Sequence, residues 1–162
     1  MQTIFTGKKT LTGGRLLRLK KYFKKNELFL LTYGDGLCNL DVNKLINFHK
    51  KHNKIATLTA VRPAARFGEL KISGNNVRKF QEKQQLNSNW INGGFFIFSS
   101  EIFNYISGDD IMLERAPFKK LTKANQLMAY KHSGFWQCMD TLRDKILLSK
   151  LWKEKKAPWK KN

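Results

Sequence analysis

With 162 residues, 41% of them hydrophobic and 12% aromatic, the chain is long enough for one domain with a real core and too apolar to be disordered. Thirty-one Lys and Arg against twelve Asp and Glu leave a formal net charge of +19, which favours polyanionic partners: nucleic acid, an anionic membrane or phosphorylated small molecules. The absence of a run of about 18 apolar residues argues against a membrane span, the N-terminus lacks the pattern of a signal peptide, and two cysteines do not make a disulfide framework, so a reducing cytoplasm is the expected setting. Most of the positive excess is Lys, in stretches rich in Asn such as Lys24-Lys25-Asn26 and Lys50-Lys51-His52-Asn53-Lys54. A solvated surface drifted by biased codon usage accounts for it better than a functional basic field does.

The pattern reads as one domain over residues 1–162, without repeats or linkers. Thr12-Gly13-Gly14-Arg15 is the first turn signal. A helix-like stretch follows, with Leu16, Leu19 and Phe23 on one face and lysines opposite. Leu28 to Tyr33 reads as a buried strand. Asp41 is placed to cap a helix that turns Val42, Leu45 and Ile46 inward and closes near Asn53. Ile55 to Val61 is a second buried strand, so strand, helix and strand form a βαβ unit, which implies a parallel sheet with a right-handed crossover. Phe67–Ile72 and Val77–Gln81 flank Ser73-Gly74-Asn75-Asn76 as a hairpin. Trp90 to Phe98 is a further strand, and helices are expected at Ser100–Ile106, Ile111–Leu121 and Thr141–Trp152. The class is α/β with a mixed sheet.

Two aspartates stand out because acidic residues are scarce. Asp35 lies between two glycines after the Leu28–Tyr33 run, and Asp140 follows the aromatic run Phe135–Met139 and opens a helical segment. A carboxylate at the end of a buried strand is costly without a partner. In open α/β sheets, strand carboxyl ends are where ligands bind. A cation shared by the two, with phosphates as its other ligands, fits this pattern; a turn aspartate and a helix N-cap are the plain alternatives.

Other segments carry weaker signals. Thr10-Leu11-Thr12-Gly13-Gly14-Arg15 gathers hydroxyls, bare backbone and a guanidinium that suit a phosphate or base, or it is simply a turn before a helix. Glu82-Lys83 offers a hydroxyl acceptor and a phosphate partner, or an ordinary exposed ion pair. Asn92-Gly93-Gly94 inside a strand implies close approach of a ligand or of another backbone, or a bulge. Cys38 and Cys138 are too few for a zinc site, and His49, His52 and His132 read as surface or satisfied polar residues.

Taken together, Thr10–Arg15, Thr32–Gly36, Thr59–Gly68, Phe80–Lys83, Trp90–Phe96, Gln126–His132, Gly134–Lys145 and Lys156–Trp159 resemble, in order, the sugar-nucleotide pyrophosphorylases, and within them the glucose-1-phosphate cytidylyltransferase branch. The resemblance implies a Rossmann-like, glycosyltransferase-A-like nucleotidyltransferase fold with a mixed sheet and flanking helices. It implies cytidylyl transfer from CTP to glucose 1-phosphate, with Mg²⁺ as cofactor and Asp35 and Asp140 as its ligands. Lys83 holds the sugar phosphate, Glu82 and Gly94 face the sugar, and Thr10, Arg15 and Gly34 contact nucleotide or substrate. Homo-oligomers, a role in supplying surface polysaccharide, and no nucleic-acid or membrane partner are implied as well.

The family opens with a Gly-rich loop that cradles the triphosphate, and this chain begins after that region, with Gln84 and Phe5 where the family has Pro and Asp. The expectation is therefore the C-terminal two-thirds of the family domain. Its N-terminal strands are missing, its apolar edges are exposed, and its turnover by itself is weak. A sugar-phosphate or nucleotide binding fragment without turnover is the alternative. A basic nucleic-acid binder is disfavoured, since the aromatics sit in apolar strands rather than among the basic residues.

Overall fold

A computed structural model describes residues 2–63, 68–81 and 89–160. The chain divides into two compact units. The first comprises Met1–Thr32, Val42–Leu58 and Phe95–Tyr130, and the second Tyr33–Asp41, Thr59–Gly94 and Lys131–Asn162. Glu82 and Lys83, and the predicted strand start at Phe67, lie outside the described residues.

Helix α1 (Thr12–Arg18), in the first unit, is followed by a 3₁₀ turn at Lys20–Tyr22, then by strand β1 (Leu28–Thr32). Helix α2 (Val42–His52) ends where Asn53 takes a left-handed φ of 50°, a conformation Asn tolerates at helix ends. The four-stranded sheet has the order β1-β6-β3-β7, with β3 at Ala56–Val61, β6 at Ile91–Ser99 and β7 at Leu127–His132. β1 and β6 run antiparallel, from Leu28 opposite Ser99 to Thr32 opposite Phe95. The two strands of the expected βαβ unit are thus not neighbours, because β6 lies between them. Leu45, Phe96, Ile97, Phe98, Ile102, Leu113 and Leu121 form the buried core, and Phe29 links it to Phe23 at 4.3 Å and Phe103 at 5.9 Å between ring centroids.

The expectation of a buried strand at Leu28–Tyr33 is corrected. β1 is an edge strand, and Leu28 and Leu30 are 41% and 53% exposed while Phe29 packs into the aromatic cluster. A run apolar on both faces reads as fully buried, but here only one face meets the core. The helix expected over Ile111–Leu121 is shorter, with α3 spanning Ala116–Lys123 and Pro117 in its first turn. Ile111 and Leu113 instead bond to the first turn of α1: the Ile111 carbonyl accepts from the Gly13 and Gly14 N–H groups, and the Leu113 N–H donates to Thr12 Oγ1. Ser100–Tyr105 is a 3₁₀ turn.

In the second unit, β2 (Gly36–Cys38) pairs antiparallel with β8 (Trp136–Cys138), and β4 (Glu69–Ser73) pairs with β5 (Asn76–Gln81) around Gly74, whose φ is 58°. Helix α4 spans Leu142–Lys153. The expectation missed β2, β7 and β8: two of them are three residues long and carry no alternation to read.

Candidate active site

Asp35 sits in the turn that leads from β1 into β2, and both it and Gly34 are exposed. The backbone N–H of Met139 donates to the Asp35 carbonyl at 2.8 Å, extending the β2–β8 ladder by one pair beyond Gly36 opposite Cys138. Asp35 and Asp140 therefore lie at the same end of one short ladder. This corrects the premise that Asp35 ends a buried strand, since its carboxylate is solvated and carries no burial cost. It places the backbones of two aspartates over a hundred residues apart in sequence near one end of the same ladder.

Asp140 is not the N-cap of α4. Thr141 takes that role: its Oγ1 accepts the Asp144 N–H at 3.3 Å, and the Asp144 carboxylate accepts the Thr141 N–H at 3.0 Å and is also held by Gln137 Nε2 at 2.9 Å. This reciprocal cap satisfies the helix end without Asp140. Neither Asp35 nor Asp140 has a side-chain hydrogen bond or ion pair among the described residues. Unengaged carboxylates near one end of a ladder are the kind of group a hard divalent cation such as Mg²⁺ takes, one or two at a time, drawing its other oxygens from water or phosphate. Among the described residues there is no cluster of three or more His, Cys, Asp or Glu, and burial pushes the Cys38 thiol up to about 11, so a thiolate zinc site has no support here.

Gly94 lies in β6 with φ 76°, and a Cβ there would stand 3.3 Å from the Tyr33 ring. A Cβ on Gly93 would meet Val61 at 2.8 Å and the Thr59 carbonyl at 3.0 Å. The close approach that the glycine pair implied is thus by neighbouring strands. The Gly93 carbonyl accepts from Trp136 Nε1 at 2.8 Å, and the Gly94 carbonyl accepts from the Tyr33 N–H at 3.1 Å. These two bonds tie β8 and the entry to the Asp35 turn onto the Gly93–Gly94 step. Trp136 was not singled out in the sequence, although an indole in a half-buried strand always needs an acceptor. A Cβ on Gly34, by contrast, would meet nothing within 4 Å.

Thr10 and Arg15 belong to the first unit. Thr10 is buried, while Arg15 is exposed and donates to Thr6 Oγ1 at 3.0 Å. The amides expected to face a phosphate are already engaged: Leu11 N–H donates to the Asp109 carbonyl at 3.0 Å, and Gly13 N–H to the Ile111 carbonyl at 2.9 Å. Arg18 pairs with the Asp109 carboxylate, which holds it below the usual carboxylate range. The glycines serve packing here, since a Cβ on Gly14 would collide with the Asp109 backbone.

A family model described as nucleotidyl transferase matches residues 11–145. The chain belongs to the nucleotidyl transferase family. It is 50% identical over 155 residues to the glucose-1-phosphate cytidylyltransferase of Salmonella typhi, covering 96% of this chain and 60% of that protein. It is 28% identical over 139 residues to mannose-1-phosphate guanyltransferase beta-B of Xenopus laevis, covering 82% of this chain and 39% of that one. The chain thus spans about 60% of the length of the Salmonella relative. A solved UDP-glucose pyrophosphorylase complexed with UDP-glucose shares the fold, with a TM-score of 0.68 at 17% identity over 93% of this chain and 64% of that chain. The Rossmann-like α/β fold with a mixed sheet and flanking helices is therefore that of the nucleotidyl transferase family. Both aspartates lie within the stretch that its model covers.

Proposed function

We propose that the chain acts in cytidylyl transfer from CTP to glucose 1-phosphate, giving CDP-glucose and pyrophosphate. The observation that carries this reading is the pairing of two unengaged carboxylates, Asp35 and Asp140, at one end of the β2–β8 ladder. The 50% identity to the Salmonella cytidylyltransferase supports CTP and glucose 1-phosphate rather than another pair of substrates.

In this reaction a phosphate oxygen of the sugar forms a bond to the α-phosphorus of CTP, while the bond from that phosphorus to the bridging oxygen of pyrophosphate breaks. Attacker and electrophile are both anionic, so the work is charge neutralisation and alignment. Asp35 and Asp140 would hold Mg²⁺, which supplies positive charge to phosphate oxygens. Lys83 pairs with the sugar phosphate. Glu82 accepts from a sugar hydroxyl, and Gly94, whose own N–H and carbonyl are engaged by Asn92 and Tyr33, bears on the sugar only by lacking a side chain. The family resemblance gives Thr10 and Arg15 to the nucleotide, and of these only Arg15 is exposed to take that part; Gly34 keeps the approach to Asp35 clear. No covalent nucleophile is required. The reading extends to a homo-oligomeric cytoplasmic enzyme that supplies nucleotide sugar for surface polysaccharide such as the O-antigen of lipopolysaccharide, with neither nucleic acid nor membrane as a partner. Among the described residues no helix is long and apolar enough to cross a membrane.

The test uses the purified chain with Mg²⁺, glucose 1-phosphate and radiolabelled CTP. Equal amounts of CDP-glucose and pyrophosphate are expected, with CTP preferred over GTP and UTP. Asp35→Asn and Asp140→Asn should each lower the rate by about 10²–10³. A rate indifferent to both substitutions, or a preference for GTP with mannose 1-phosphate, overturns the proposal.

A further inference from the structure

A cleft of about 410 Å³ in the first unit is lined by Asn26, Leu28, His49, Lys50, Asn53, Lys54, Ser99 and Glu101. None of these residues takes part in the proposed transfer chemistry. One of them, His49, is 2% exposed, far more buried than the lysines beside it. Its hydrogen bonds fix which of its nitrogens carries the proton.

The backbone N–H of Lys54 donates to His52 Nδ1 at 3.0 Å, so that nitrogen bears a lone pair and the proton of a neutral His52 sits on Nε2. His52 Nε2 is 2.8 Å from Thr57 Oγ1 and donates to it. Thr57 is fully buried, and its other partner is His49 Nδ1, also at 2.8 Å. The single hydroxyl proton of Thr57 therefore goes to His49 Nδ1. That leaves the proton of His49 on Nε2. Among the described residues this N–H has no acceptor, and His49 lines the cleft. The N–H is not sealed from solvent, so it meets the water of the cleft, and an acceptor that enters takes that water's place. Burial, then the charge of His52, lowers the His49 pKa to about 4, which keeps it a neutral donor near pH 7.

The charges of the lining select the acceptor. Lys50 and Lys54 bring two ammonium groups, and Lys54 is steadied by donating from Nζ to the Asn125 carbonyl at 2.6 Å. Glu101 and the carbonyl end of α2 oppose them in part. Such a lining suits a molecule with an anionic group at one end and hydroxyls at the other, the hydroxyls donating to Glu101. The volume exceeds what a bare oxyanion needs and falls in the range of small-ligand sites. We propose that this cleft binds a small phosphorylated polyol, with the His49 Nε2–H as a fixed donor to the phosphate, Lys50 and Lys54 as its counter-charges and Glu101 as an acceptor for a hydroxyl.

Side-chain ¹⁵N NMR of the histidines in the purified chain tests this. Three probes are titrated: glycerol 3-phosphate, inorganic phosphate and glycerol. The unliganded spectrum should show His49 neutral and protonated on Nε2. Glycerol 3-phosphate should shift the His49 Nε2–H resonance saturably, inorganic phosphate should do so about tenfold more weakly, and glycerol should not. Lys50→Gln, at an exposed position, should weaken glycerol 3-phosphate about tenfold, and Glu101→Gln should bring the two phosphates level. Thr57→Val should free the His49 tautomer and broaden the resonance. A His49 protonated on Nδ1, or no saturable shift with either phosphate, overturns the proposal. So does a shift that persists unchanged in Lys50→Gln.

Discussion

The two glycine-bearing turns of this chain look alike in sequence and do opposite things in the structure. Gly13 and Gly14 are buried against Asp109 and Ile111, their amides are engaged, and a side chain at either would meet backbone. Gly34 stands in open space beside two carboxylates that no described residue engages. The first pair lets two segments of backbone pack together, and the second leaves room. A turn rich in glycine is thus a packing device when its N–H groups are paired and a candidate ligand approach when its surroundings are empty.

The contrast can be broken experimentally. The largest effect is expected at the aspartates: Asp35→Asn and Asp140→Asn should each cost about 3–4 kcal/mol of transition-state stabilisation in CDP-glucose formation. Both should leave chemical denaturation within about 0.5 kcal/mol of the parent, because both side chains are exposed. Gly14→Ala should do the reverse and destabilise the fold by about 3 kcal/mol, as overpacking against backbone does. If Gly14→Ala folds with parent stability, the packing role is wrong.

Next is pH. The folded His49 pKa of about 4 lies below its ordinary value of 6.5 because burial disfavours the imidazolium. On acidification the unfolded chain binds the proton first. The stability linked to His49 is then complete above about pH 6.5 and is lost as the pH falls from there toward 4, by at most about 3 kcal/mol. His52 shifts the same way, through burial first and then the charge of Lys54, and adds to the slope. Urea midpoints measured between pH 7 and 4 should follow this curve, and His49→Gln should flatten it.

Smaller effects separate Asp140 from its neighbour. Thr141→Ala removes the α4 cap and should cost about 1 kcal/mol of stability, with divalent-ion binding largely kept. Asp140→Ala should weaken Mn²⁺ binding, followed by paramagnetic relaxation, and leave stability unchanged. Smallest of all, Gly34→Ala should alter stability by less than about 0.5 kcal/mol. Any loss of nucleotide affinity in that variant would then report on the ligand rather than the fold.

Much of this was legible in the residues. The strands at Ala56–Val61 and Ile91–Ser99, the hairpin around Gly74 and the helices starting at Val42 and Leu142 follow from apolar period and turn chemistry. Even the α4 cap is written in Thr141-Leu142-Arg143-Asp144, with Asp in place of the usual Glu. Short elements were not legible, because three-residue strands such as Gly36–Cys38 and Trp136–Cys138 have no pattern of their own and exist only as each other's partner. The edge position of β1 was hidden for a similar reason: an apolar run states that a face wants burial, not whether anything covers it.

The sequence by itself determined the family, the α/β class and the pair of aspartates, since those rest on residue order and local period. Only the tertiary structure decided that Asp35 and Asp140 share one end of a ladder, that Thr141 rather than Asp140 caps α4, and which amides near Gly13 are engaged. It also decided the direction of the His52–Thr57–His49 chain, because a proton's place on an imidazole depends on which donor reaches the other nitrogen, and that donor, the Lys54 N–H, is positioned by the fold.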